Sequence, residues 1–191
     1  MYHNGHGTCE KFILGGVRVE QFDVLDRSGN LMGFTAEKGT KLKAGQYYLG
    51  THAYIYSQSF EFLIQQRSFN KNFLPGGWDV HLEHTIAGET SADCVCRGLK
   101  EEIGLTVDKT ELKPPKRFFW HEYNHIVDVY FIQINFNLER LSLDNNEVIN
   151  VKVIPKNEMI NLVAEMYYRP SEYRQYVTNE IRIANVPEKR D

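Results

Sequence analysis

The chain has 191 residues and a formal net charge of −3, with 42% hydrophobic and 25% charged residues, the balance of a folded globular protein. That charge gives no general attraction to nucleic acid or anionic membranes, and no apolar run approaches the roughly 18 residues that span a bilayer. The opening M-Y-H-N-G-H-G-T-C-E has neither a basic nor an apolar stretch, which argues against secretion and predicts a cytoplasmic protein.

Residues 1–18 are glycine-rich and weakly patterned, and read as a mobile arm despite His3 and His6. From Glu20 the pattern sharpens. Phe22, Val24 and Leu25 argue a strand, and Ser28-Gly29-Asn30 is a tight turn into a second. Residues 38–45 are polar and read as loop or a single helical turn. Leu49 to Tyr56 and Phe60 to Gln66 read as an antiparallel hairpin with one face in the core. Further on, 113–123 and 126–136 read as two long strands joined by the polar turn H-E-Y-N-H, and Glu147 to Ile154 as another. Glu158–Met166 and Glu172–Ala184 read as closing helices. The aromatic content of 13% leaves room for a homodimer as well as for a core.

The stretch from Glu83 to Leu105 carries the chemistry. Thr90 is a good N-cap, with Asp93 three residues on to close a capping box. Val95, Leu99 and Ile103 recur at helical spacing, and Gly104 ends the helix before a strand expected from Leu105 to Val107. The other face carries Arg97, Glu101 and Glu102, so two adjacent carboxylates sit together at its exposed end. Two carboxylates that close repel, and a divalent cation preferring oxygen is the usual relief. Cys94 and Cys96 lie about 200° apart around such a helix, too far round to bond each other. With Cys9 they read as reduced thiols, not a disulfide framework or a zinc site.

This stretch resembles the Nudix hydrolase box, G-x5-E-x7-R-E-U-x-E-E-x-G-U, with Glu89, Arg97, Leu99, Glu101, Glu102 and Gly104 in register. Two positions depart from it. Glu83 stands where the first glycine belongs, and Gly98 where the first glutamate of the R-E-U-x-E-E run belongs. A wider resemblance, from about Glu20 to Lys152, is to Nudix proteins related to isopentenyl-diphosphate isomerases. It rests on Asp23, Asp26, Gly29, Asn30, Thr51, His52, Gln65, Arg67, Ser68, Lys71, Pro75, Gly76, Trp78 and Asp79. His52 and His84 match two metal-holding histidines of those isomerases. Leu82 stands at the cysteine position and Tyr48 at another histidine, which argues against isomerase chemistry.

The resemblance implies an α/β/α sandwich around a mixed sheet with an N-terminal hairpin extension, residues 19–191 forming one domain. It implies a hydrolase that cleaves a small-molecule diphosphate, such as a nucleoside diphosphate linked to another group, with Mg²⁺ or Mn²⁺. Glu102 is the first choice of metal ligand. Glu101 is the second, as ligand or as a base orienting water, and Glu83 is a candidate relocated ligand. Arg67, Lys71 and His84 are candidates to meet substrate, and Glu89 and Arg97 to pin the loop to the helix. An acidic residue beyond the box, Glu147, loosely matches an assisting one. The alternative is a domain that kept the fold and lost turnover, because Gly98 supplies no carboxylate. A glycine inside a helix costs about 1 kcal/mol relative to alanine. The sequence therefore predicts that Gly98→Glu stabilises the helix and tightens metal binding together.

Overall fold

The computed structural model describes residues 19–184, so the arm expected at 1–18, with Cys9, lies outside the described residues. β1 (Gln21–Leu25) and β2 (Leu31–Glu37) form a two-stranded antiparallel sheet. Its turn is built as the sequence predicts. Asp26 Oδ1 accepts from the amides of Ser28 and Asn30 at 2.8 and 2.9 Å, and Gly29 takes the left-handed conformation at φ +83°.

The main sheet has seven strands: β3 (Tyr48–Tyr56), β4 (Glu61–Arg67), β5 (Trp78–Asp79), β6 (His81–His84), β7 (Lys116–Trp120), β8 (His125–Gln133) and β9 (Val148–Pro155). Only β3 and β8 run parallel, in register from Tyr48↔His125 to Tyr56↔Gln133. β7 lies antiparallel on the far side of β8, and β9 antiparallel along β4.

β3 and β4 are neighbours, but they pair only at Ile55↔Leu63 and Tyr56↔Phe62. Beyond that point they splay. The outer edges of β3 and β4 are taken by β8 and β9, so the gap between them is filled from inside. β5 pairs with β4 at Gln65 and Gln66, and β6 pairs with β3 from Gly50 to Ala53. The expected hairpin is therefore a fork, and the segment from Trp78 to His84 is the wedge in it. This positions the site.

Three helices cover the sheet. α1 (Ser91–Ile103) packs Val95, Leu99 and Ile103 on Ala53, Ile55 and Leu63. α2 (Lys156–Glu165) and α3 (Ser171–Ile183) pack Met159, Val163, Tyr173 and Val177 on Tyr54, Phe62, Ile64 and Val127 from the other face. Both faces of β3 and β4 are thus buried, not one, giving a sheet with helices on either side.

α1 starts and stops as the sequence predicts. Thr90 and Asp93 close the capping box, and Gly104, at φ +71°, ends the helix while the Leu105 amide donates to Leu99 O at 3.0 Å. Other boundaries differ. Leu105 and Val107 are buried apolar contacts but form no strand; the Leu105 amide is instead used in the helix end, donating to Leu99 O. The strand expected at 113–123 runs only from Lys116 to Trp120, where a 3-10 turn at His121–Tyr123 and a left-handed Asn124 end it, and the one expected at 126–136 runs from His125 to Gln133. A buried ion pair ties the α2–α3 connection to the sheet: Arg169, between α2 and α3, donates to both oxygens of Asp79 on β5 at 2.7 and 2.8 Å.

Candidate functional site

The wedge strand brings the candidate residues together. Side chains alternate along β6, so His81 and Glu83 face α1 while Leu82 and His84 face the other side. Across from them, α1 presents Arg97, Gly98 and Glu102.

Arg97 is the hub of the acidic residues. Its guanidinium donates to Glu89 Oε1 and Oε2 at 2.7 and 3.1 Å, to Glu101 Oε2 at 3.1 Å and to Glu83 Oε2 at 3.4 Å. It also donates to His84 O at 2.9 Å, fixing the end of β6 to the helix. Burial alone would make this cation easier to neutralise, but Glu89 and Glu83 outweigh it and hold the charge firmly in place.

Glu101 and Glu102 do not sit together. Adjacent helical residues point about 100° apart. Glu101 is 63% exposed at its side chain and leans back on Arg97, whereas Glu102 is buried, only 6% exposed. Glu102 Oε2 accepts from Gln65 Nε2 at 2.9 Å and lies 3.2 Å from His81 Nδ1. Burial works to raise its pKa, but His81 and Gln65 together hold it below the ordinary carboxylate value. Among the described residues no hydrogen bond reaches Glu102 Oε1.

Glu83 is half-buried on β6, not on an open loop. Its Oε1 accepts from the His84 amide at 2.7 Å. Burial raises its pKa, and the negative charge of Glu102 adds to the rise. The two carboxylates thus feel each other.

Three cations lie near enough for their charges to act on His84. Lys71 pairs with Glu147, which precedes β9. Lys38, from the loop after β2, pairs with Glu20 at 2.5 Å. Arg67 donates to Phe73 O at 2.9 Å and lies over the Phe73 ring. His84 is open to water at one edge yet ringed by protein. Burial pushes its pKa down to about 4, with Lys38, Arg67 and Lys71 adding to the effect. Its ring centroid lies 5.1 Å from that of Tyr48, which stacks on His125 at 4.4 Å. His52 is set apart: buried on the α3 side of the sheet, it bonds Tyr173 Oη through Nδ1 at 2.7 Å.

Sequence reasoning missed Lys38, His81 and Gln65. His81 had a signal, since it lies two residues from Glu83 in a stretch that alternates as a strand. Lys38 had none, because only the hairpin's placement brings it near His84. Cys94 is buried, its thiol pushed up to about 12 by burial, and no cysteine among the described residues is bridged.

A divalent cation fits this donor set. Mg²⁺ uses one or two carboxylates and keeps waters, and here Glu102 and Glu83 both flank the contact between His81 and Gly98, with Glu102 Oε1 uncommitted among the described residues. Among the described residues, no three His, Cys, Asp or Glu side chains form a ready-made cage.

The model of the NUDIX domain matches residues 47–175. The chain belongs to the Nudix family. It is 30% identical over 142 residues to an uncharacterized Nudix hydrolase of Listeria innocua, covering 74% of this chain and 83% of that protein. It is 31% identical over 161 residues to Nudix hydrolase 3 of Arabidopsis thaliana, covering 76% of this chain but 20% of that longer protein. An isopentenyl-diphosphate Delta-isomerase of Dinoroseobacter shibae is 29% identical over 126 residues, covering 61% of this chain and 68% of the isomerase. Among solved structures, DR0079 of Deinococcus radiodurans shares the fold with a TM-score of 0.65 at 15% identity, covering 85% of this chain and 98% of that one.

One position of the Nudix helix is filled in an unexpected way. A Cβ at Gly98 would lie 2.7 Å from His81 Nε2 and 2.9 Å from Glu83 Cγ, distances that real Cβ atoms essentially never show. His81 or Glu83 would have to give way, so Gly98→Glu is expected to destabilise the fold rather than stabilise the helix. Overpacking a filled site costs about 1–3 kcal/mol, more than the helix propensity returns. Urea unfolding of the variant should show a lower midpoint at unchanged slope, and an equal or higher midpoint would mean that His81 moves aside freely.

Proposed function

We propose that the chain is a hydrolase, dependent on Mg²⁺ or Mn²⁺, that cleaves the diphosphate linkage of a nucleoside diphosphate joined to another group. The observation that carries this reading is the buried Glu102, with one oxygen pinned by Gln65 and the other uncommitted, near enough to Glu83 and Lys71 for their charges to act on it. Glu102 and Glu83 would hold the cation, which would supply Lewis-acid chemistry toward the phosphoryl oxygens.

The remaining roles belong to the chain's own groups. Arg67, Lys71 and Lys38 neutralise and orient the phosphates, Lys71 exchanging its bond to Glu147 for one to substrate. Glu89 and Arg97 clamp the loop to α1, so that Glu83 keeps its place. Glu101, solvated and held by Arg97, contributes to that clamp instead of holding the cation. The Tyr48 ring, stacked on His125 and tilted against His84, offers an aromatic surface for a base, a contact worth about 1–3 kcal/mol per base.

The reading is tested by product release. Nucleotide sugars, dinucleoside polyphosphates, ADP-ribose and isoprenoid diphosphates are incubated with Mg²⁺, with Mn²⁺ and with a chelator. Cleavage of a nucleoside-containing member only with metal supports it, and metal-independent cleavage contradicts it. Alanine at Arg67 or Lys71 should raise KM about tenfold, the scale of a hydrogen bond to a charged group, with a smaller change in kcat. Unchanged KM in both variants would remove these cations from the substrate site.

A second reading, a ligand-binding module without turnover, draws on one observation. Position 98 carries no carboxylate, and an imidazole fills its place. Under that reading the panel yields a binder and no product.

A further inference from the structure

Gly98 lies inside α1, and its backbone is not among those with a left-handed φ. The helix therefore does not need glycine for conformational freedom. What glycine supplies is room. The space that a side chain would fill is taken by the His81 ring, 2.7 Å from the ideal Cβ position at Nε2 and 3.0 Å at Cε1. His81 is 1% exposed, and neither ring nitrogen makes a well-formed hydrogen bond among the described residues. A buried imidazole without partners is costly, so an apolar filler would serve packing better. Glu102 Oε2 lies within reach of Nδ1, at 3.2 Å. Gln65 approaches the same oxygen at 2.9 Å from β4.

We propose that His81 is the positioning residue of this site and that Gly98 is its matched partner: the imidazole occupies the place of the carboxylate absent from position 98, and with Gln65 it fixes Glu102 Oε2 so that Oε1 is left for the cation. This rests on the hydrolase reading for its purpose but not for its test. On this account the box has not simply lost a ligand. A group on β6 has replaced a group on α1, and the site holds its cation with one negative charge fewer.

Mn²⁺ calorimetry on the full chain tests it, with thermal unfolding of each variant as a control for folding. His81→Phe keeps a ring in the space and removes both nitrogens, and His81→Asn keeps a donor near the position of Nδ1. His81→Phe should weaken Mn²⁺ binding about 10–100-fold, the range for loss of a group that orients a ligand, and His81→Asn should recover most of that loss. A residue that merely fills space would leave His81→Phe with the parent's affinity, which would overturn the proposal. The double variant His81→Ala with Gly98→Glu should bind Mn²⁺ more tightly than His81→Ala alone, while Gly98→Glu alone should lower the unfolding midpoint. If His81→Phe does not fold, a double variant no tighter than His81→Ala overturns the proposal on its own. A parent that binds no Mn²⁺ also overturns it. Product release from the same proteins separates the two claims. The expected Mn²⁺ pattern without turnover by the parent upholds His81 and defeats the hydrolase reading. Turnover with His81→Phe at full affinity does the reverse.

Discussion

Glu102→Gln should lower kcat/KM by more than about 100-fold, beyond the 10–100-fold that loss of a merely supporting partner produces. The amide keeps the volume of the side chain, and its carbonyl oxygen still accepts from Gln65, so the thermal midpoint should move little. What disappears is the anionic oxygen that no protein donor engages. Calorimetry should show Mn²⁺ binding weakened in parallel. The comparison with its neighbour sharpens the test. Glu101→Gln should change activity less than about fivefold, because a solvated carboxylate paired with Arg97 at the surface is worth at most about 1 kcal/mol. Equal losses at 101 and 102 would mean that the two carboxylates act together, against the separation seen on α1. Unchanged Mn²⁺ binding in Glu102→Gln would remove that residue from the site.

The second large effect lies away from this site. Asp79→Ala should destabilise the fold by about 3–5 kcal/mol, because it leaves the Arg169 guanidinium charged and buried with no counter-ion. Asp79 is fully buried and accepts from Arg169, from the Val80 amide at 2.7 Å and from Tyr168 Oη at 3.2 Å. For a chain of this size, that loss corresponds to a drop of very roughly 6–20 °C in the unfolding midpoint. Since Asp79 ends β5, the wedge in the fork between β3 and β4 should loosen with it, and activity should fall through population of unfolded protein. Replacing Arg169 as well, with methionine, should restore part of the loss, because no charge is then stranded. A drop below about 1 kcal/mol for Asp79→Ala would show that Arg169 finds another partner.

Local signals in the chain carried much of this fold. Thr90, Asp93 and Gly104 marked both ends of α1 because capping is settled by a few neighbouring residues. The turn at Asp26–Asn30 was legible for the same reason. The registration of Glu89 and Arg97 eight residues apart was also local, and their ion pair joins loop to helix.

Pairing was less legible. Leu49–Tyr56 and Phe60–Gln66 have the pattern of a hairpin, but how far two strands stay together depends on what competes for their edges. Here β6 and β5 take over beyond Ala53 and Gln65. Leu105–Val107 has strand composition, but the Leu105 amide is used in the helix end. The site divides along the same line. Register with the Nudix box singled out Glu102 as a candidate, but the exposure of Glu101 depended on helix orientation against the sheet. The meaning of Gly98 was hidden because its reason is a ring from another element. Read alone it is a helix-weakening gap, and beside His81 it is an occupied space.

The central claim is that water attacks a diphosphate at this site, and hydrolysis in ¹⁸O-labelled water tests it most directly. The panel substrates are incubated with excess Mg²⁺ or Mn²⁺, and the phosphate-containing products are weighed by mass spectrometry. The account predicts a single ¹⁸O atom in one product of a nucleoside diphosphate derivative, present with metal, absent with chelator and lost in Glu102→Gln. A chain that binds such a compound at saturating metal, yet yields no labelled product from any member of the panel, would contradict it.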